Sequence, residues 1–185
     1  MQTLAARTIE NPFIKDRATF LELASETNGK YTSVLVEVGP KGGNGLHYHK
    51  TFDEIFTVRE GQLGVQLGKD TFILEPGDTV RVKAGDLHSF FNPSETDFCS
   101  FVVVFEPGSR GMEIGLQVVY GLANDGRTNK DSVPKNLYHM ALLVHWTDTN
   151  APGFFTIIAP LLRWLCKRAI RKGIDKELIR QYVKY

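Results

Sequence analysis

Along residues 19–106 the chain is interrupted by turn-forming residues every 8–12 positions or so, too often for any helix to develop. The interruptions are Asn28-Gly29, Glu60-Gly61, Gly68-Lys69-Asp70, Pro76-Gly77-Asp78 and Ala84-Gly85-Asp86. Glycine reaches positive φ without steric cost, and Asn and Asp tolerate it. Short apolar or alternating runs lie between them, at 31–38, 54–59, 62–67, 71–74, Thr79–Val82, His88–Phe91 and 98–105. Val34, Val36 and Val38 share one strand face, as do Leu63, Val65 and Leu67. The expectation is a mainly β fold, a sandwich or a barrel of the jelly-roll kind.

Beyond Pro107 the period changes from two to that of a helix. Ser132 is placed to cap a helix with Pro134 in its first turn, after which Leu137, Met140, Ala141 and Val144 come at i, i+3, i+4, i+7. A short helix is predicted over 115–123. Pro160 opens another that runs to about Lys172 and stops at Gly173, and Asp175 caps a last one through Tyr182. Residues 1–110 therefore read as a β-barrel with N-terminal strands. Residues 111–185 read as a helical C-terminal extension, packed on the barrel or on a partner subunit.

A chain of 185 residues with 42% hydrophobic residues can build a core without disulfides. Its 22 basic and 21 acidic residues leave a net charge of +1, which gives no global attraction for nucleic acid, and none is expected as a partner. Cys99 and Cys166 are too few for a disulfide framework, so a reducing, cytoplasmic setting is expected. The opening residues 1–13 have no apolar core and do not read as a secretory signal.

Three of the five histidines, His47, His49 and His88, fall close together in sequence. On a strand, His47 and His49 point to one face with Cα atoms about 6–7 Å apart, suited to two cis ligands on one metal. Glu54 comes after a bend, and His88 can approach from a facing strand. These residues resemble the cupin family. Its first motif is Gly, five residues, His-x-His, three or four residues, Glu, six residues, Gly. Here His47-Tyr48-His49 is succeeded by four residues, Glu54, six residues and Gly61. The second motif is Gly, five residues, Pro-x-Gly, two residues, His, three residues, Asn, matched here by Gly77, Lys83-Ala84-Gly85, His88 and Asn92. The sequence departs from the pattern twice: Lys41 stands where the opening Gly belongs, and Lys83 replaces the Pro.

The resemblance implies a cupin-type jelly-roll β-barrel with His47, His49, Glu54 and His88 as metal ligands. Three imidazoles and one carboxylate leave two positions of an octahedral ion open, and mixed nitrogen and oxygen ligation suits divalent Fe, Mn, Ni, Zn or Cu. The alternatives are ordinary core or surface groups, or a family member that has lost its metal. Phe56, Phe90 and Asn92 are candidates for the pocket lining, with barrel core as the other reading for the two rings. Asn92 shares His88's face and suits a strand end better than a metal. Arg81 meets an anionic substrate if its strand faces inward, and water otherwise. The family spans dioxygenases, isomerases, decarboxylases, epimerases, sensors and storage proteins. The expectation is thus a metal-dependent oxygenase or isomerase of a small organic molecule, the alternative a noncatalytic ligand-binding or sensing module. A homodimer is expected by analogy, with the 19–25 segment pairing across its interface.

The tail is electrically distinct. Residues 1–150 carry 14 basic and 19 acidic groups, whereas residues 151–185 carry 8 basic and 2 acidic ones. Residues 154–166 are nearly all apolar but short of the roughly 20 residues that span a bilayer. Leu162, Leu165, Cys166 and Ala169 form an apolar face for packing, while Lys167, Arg168, Arg171 and Lys172 form a basic one. Peripheral membrane contact through residues 154–172 is the alternative to simple packing.

Overall fold

The computed structural model describes residues 7–185, and the side chains of all of these except 154–156. Residues 1–6 of the segment read as lacking a signal therefore lie outside the described residues, as do the side chains of the first three residues of the apolar run. Among the described residues nine strands come first: β1 (Thr8–Asn11), β2 (Asp16–Glu22), β3 (Thr32–Val38), β4 (Asp53–Glu60), β5 (Leu63–Leu67), β6 (Asp70–Leu74), β7 (Thr79–Val82), β8 (His88–Phe91) and β9 (Cys99–Glu106). Four helices come next: α1 (Arg110–Asn124), α2 (Leu137–Thr147), α3 (Phe154–Arg171) and α4 (Ile174–Tyr182).

The strands form two antiparallel sheets, one ordered β1-β2-β3-β9-β4-β7 and one ordered β6-β5-β8. They are separate sheets rather than one closed barrel. The turn at Gly61, whose φ is +71°, carries the chain from one to the other. A Cβ there would lie 2.7 Å from the Phe98 carbonyl oxygen, so this turn requires glycine on two counts. Inward-facing residues of both sheets, among them Phe20, Val34, Phe56, Val58, Leu63, Val65, Phe101 and Phe105, share one core. Met112, Val119 and Tyr120 of α1 join that core, and the other side of α1 meets α2, α3 and α4 in a second one.

Several expectations shift. In the 19–25 segment Thr19, Phe20 and Glu22 pair with β3, and of these Thr19 also pairs with β1. Ser132 does not cap a helix; it sits at φ +60° and accepts a hydrogen bond from Asn11 Nδ2. Asn136 caps α2 instead, its Oδ1 accepting from the backbone N–H groups of Tyr138 and His139. The helix predicted over 115–123 is longer, because Ser109 Oγ accepts from Met112 N–H and starts α1 at Arg110. Pro160 lies inside α3 rather than opening it, and Gly173, not Asp175, precedes α4.

Candidate metal centre

His47, His49, Glu54 and His88 come together, with one ligand atom from each lying within 4.8 Å of all the others. Each reaches the cluster by a different route. His47 and His88 exchange both backbone hydrogen bonds, 2.9 and 2.8 Å, as the segment before His49 runs along β8. That pairing puts their ring centroids 4.4 Å apart. His49 lies beyond this bridge, and its carbonyl accepts from Gly85 N–H at 2.6 Å, which ties it to the turn ahead of His88. Glu54 comes from the larger sheet. On β4, Glu54, Phe56 and Val58 alternate inward, so the carboxylate faces the histidines across the sandwich.

The outer nitrogen of every imidazole is engaged. His47 Nδ1 meets the Gly45 carbonyl at 2.7 Å, His49 Nδ1 the Thr147 carbonyl at 2.9 Å, and His88 Nδ1 the Asp86 carbonyl at 2.9 Å. A carbonyl only accepts, so each Nδ1 carries a proton and Nε2 is the nitrogen that each ring turns to the cluster. Outer-shell carbonyls fix metal-binding histidines in just this way. His49 Nε2 is buried and has no hydrogen-bond partner, although Glu54 Oε1 is only 3.3 Å away. Two acceptors facing each other at that distance need a proton or a metal ion between them. Glu54 Oε2 lies 3.0 Å from His88 Nε2, a contact that a proton on Nε2 or a shared metal ion satisfies. Bonds of about 2 Å to an ion place its ligand atoms about 3–4 Å apart, so small side-chain adjustments close this cluster on a divalent metal. The residues fit one.

The electrostatics agree. Burial works to raise the Glu54 carboxyl, yet the polar contacts and charges of His49 and His88 outweigh it and hold the group well below the usual carboxylate range. Burial, reinforced by repulsion from His49 and His88, pushes His47 down to about 4, so it is a neutral imidazole at ordinary pH. Burial also works to lower His88, but its hydrogen bond and charge interaction with Glu54 prevail and raise it.

Of the aromatic residues expected near the site, Phe56 has its ring 6.5 Å from that of His88 and 6.1 Å from that of Phe90. Both also pack on Phe101, so they belong to the core and to the site's apolar wall at once. Asn92 is buried with its amide committed elsewhere: Nδ2 donates to the carbonyls of Val38, Gly39 and Asp97, and Oδ1 accepts from Ser94 N–H. It pins two loops together. Arg81 is exposed and pairs with Asp53 and Glu106 on the outer sheet face, not in the site. Cys99 is buried and its thiol is pushed up to about 11 by that burial, which suits packing rather than ligation. His139 is buried in the helical part and His145 is exposed there.

Sequence reasoning missed the part played by the helical extension. Besides the Thr147 carbonyl on His49, Asp148 Oδ2 accepts from Lys50 N–H at 2.6 Å and from the Thr51 hydroxyl at 3.0 Å. Tyr48 and Asn150 exchange backbone hydrogen bonds of 2.8 and 2.9 Å. The chain leaving α2 thus clasps the ligand segment on both sides of His49. One signal was present: an acidic residue just past a helix C-terminus, where the helix dipole disfavours it, has another reason to be there. Phe52, stacked on His49 at 4.6 Å and 27°, was also missed.

Solved structures with similar chain paths include KdgF from a Halomonas species, with 18% identity, 52% of this chain and 84% of that chain covered and a TM-score of 0.47. Another is a predicted oxalate decarboxylase from Thermotoga maritima, with 20% identity, 50% and 81% covered and a TM-score of 0.48. A third is the polyketide cyclase RemF from Streptomyces resistomycificus, with 20% identity, 57% and 78% covered and a TM-score of 0.48. No curated protein matches the chain. Residues 34–105 match the family model described as a cupin domain, a span that runs from within β3 to within β9 and holds all four clustered residues. With that match and both motifs folded into one His and Glu cluster, residues 34–105 form a cupin domain.

Proposed function

We propose that this protein is a metal-dependent enzyme that oxygenates or isomerises a small organic molecule. One observation carries the reading: three imidazoles whose Nδ1 atoms are tied to backbone carbonyls turn their Nε2 atoms toward one buried carboxylate. His47, His49, Glu54 and His88 would hold the ion, and a bound Fe, Mn, Ni, Zn or Cu would supply Lewis acidity or oxygen activation. The protein's own contributions are to keep Glu54 ionised, to hold each Nδ1 on a backbone carbonyl so that Nε2 faces the cluster, and to keep water from the inner wall with Phe52, Phe56 and Phe90. His47 is less buried than the other three ligands, so a substrate approaches from its side. The same aromatic wall suits a retained ligand as well as a substrate, and noncatalytic binding or sensing is the second reading.

The two sheets are read as the halves of a cupin jelly roll spanning residues 1–110, with 111–185 as its extension. Two buried, unpaired cysteines support a reducing, cytoplasmic setting. A homodimer is part of the proposal, and a monomeric mass in light scattering would remove it.

Elemental analysis of the purified protein, then oxygen-uptake and isomerase assays of the iron and manganese forms, tests the function. A stoichiometric transition metal that is lost in His49→Ala is expected. Protein that binds no metal at all would end the enzyme reading, and a metalloprotein inert in both assays would favour the second.

A further inference from the structure

Helix α3 has two apolar faces, and its own fold uses only one. Leu162, Leu165, Cys166 and Ala169 are buried against α1, α2 and α4. On the opposite side Ile157, Leu161 and Trp164 are 76%, 54% and 51% exposed, and their spacing of i, i+4, i+7 makes them one stripe with the exposed Pro160 beside it. Scattered exposed apolar residues need no explanation, but a contiguous stripe ending in a tryptophan does.

The residues beyond the stripe identify its occupant. Over the next two turns the outward positions become basic, with Lys167, Arg168 and Arg171 exposed and Lys172 just beyond the helix. Arg163 adds a further exposed charge, and α3 contains no acidic residue. Lys167, Arg171 and the exposed Ile170 line a groove of about 440 Å³. The Arg168 guanidinium sits 5.6 Å from the centre of the Trp164 ring, joining the apolar and basic segments of this face. No helix among the described residues is long and apolar enough to cross a membrane.

We propose that α3 docks the protein on an anionic lipid surface. Ile157, Pro160, Leu161 and Trp164 enter the headgroup boundary, and the basic turns beyond them meet lipid phosphates and carboxylates. An interfacial helix needs this combination, an apolar segment to bury and cations to hold it on negatively charged lipid. A second copy of the same face is a poor occupant, because it would set two clusters of like charge against each other. The inference is independent of the metal reading, since α3 supplies none of the four clustered residues.

Vesicle sedimentation of the full chain provides the test, comparing phosphatidylcholine alone with the same lipid containing about one third phosphatidylserine. At low salt at least about tenfold more protein is expected to pellet with the anionic vesicles, and about 1 M salt should release it. Trp164 emission should shift to the blue on binding, and a Trp164→Phe variant should lose that shift yet still bind. Both Leu161→Glu and the double variant Lys167→Glu, Arg171→Glu should abolish binding while keeping the parent's thermal unfolding curve, since all these side chains are exposed. Failure to bind anionic vesicles overturns the proposal. So does equal, salt-insensitive binding to both vesicle types. A dimer in light scattering that Leu161→Glu splits, with no vesicle binding by the parent, overturns it in favour of a second copy.

Discussion

Glu54 and Asp16 are both carboxylates buried in the β part of this protein, and they titrate in opposite directions. Glu54, on β4, is held well below the usual carboxylate range once the histidines have outweighed its burial. Asp16, on β2, is pushed up to about 6 by burial, which its hydrogen bond from Tyr120 only partly offsets. Its other oxygen, Oδ1, is buried with no partner. Burial and side-chain chemistry are nearly the same; the neighbours are not. A phenol donates one hydrogen bond and brings no positive charge, whereas imidazoles hold a carboxylate in its charged form and can share a metal with it. Glu113 completes the comparison. It is buried with both oxygens satisfied, by Ala24 N–H, the Thr32 hydroxyl and Arg110, and it fastens α1 to the sheet without any vacant valence. Burial alone does not mark a site here; convergence of unspent lone pairs does.

The sharpest way to break that comparison is to neutralise each carboxylate in turn. Glu54→Gln keeps the shape and removes the charge, and metal affinity should fall by more than about 100-fold, beyond the 10–100-fold typical of an outer-shell partner. Isothermal titration with Mn or Zn measures it. Asp16→Asn should leave the affinity unchanged. If the two variants bind metal equally well, the convergence argument fails.

Asp16→Asn should instead act on stability, in a pH-dependent way. The folded carboxyl at about 6 lies above its ordinary 3.8, so the native state binds its proton more tightly than the unfolded chain. The cost of the buried charge is therefore absent below pH 3.8, grows up to about pH 6 and is fully present above that. An amide still accepts from Tyr120 but cannot ionise. Denaturant unfolding should show the variant about 1–2 kcal/mol more stable than the parent at pH 8, the full shift being reduced by the unpaired amide N–H. At pH 4 that advantage should vanish. An advantage of the same size at both pH values would mean that the Asp16 charge is not its source.

The ligands were legible because strand period and turn spacing are written in residue types: His47 and His49 two apart, Glu54 beyond a bend, His88 after Gly85. The strands of residues 31–106 were legible for the same reason. Features set by backbone contacts were not. Lys41, in the place of the motif's opening glycine, still adopts a glycine-like φ of +59°, its N–H donating to Ser94 O across the loop at 3.2 Å. The four residues of β1 are too short for a pattern and form a strand only because β2 offers an edge. Pro160 read as a helix start because proline favours the first turn, yet α3 begins earlier and carries it within. Nothing in the type of residue 147 announces that its carbonyl orients His49.

That carbonyl leads to the finest test of the comparison, since it asks whether the helical extension tunes the cluster that the sheets assemble. Asp148 stands at φ +49° past the end of α2 and holds Lys50 N–H and the Thr51 hydroxyl, which keeps the Thr147 carbonyl over His49 Nδ1. Without that clasp the ring loses its fixed tautomer and orientation, but all four ligand atoms remain. Asp148→Ala should therefore weaken metal binding about tenfold, at the low end of outer-shell effects and well short of Glu54→Gln. Alanine also tolerates this left-handed backbone less well than aspartate, so some loss of stability is expected in any case. Asp148→Asn separates the two, because asparagine accepts the same hydrogen bonds and suits the same φ. Near-parental affinity in Asp148→Asn together with a tenfold loss in Asp148→Ala would locate the effect in the clasp. Parental affinity in both would show that the sheets alone set the geometry of the centre, and that the extension touches His49 without shaping its chemistry.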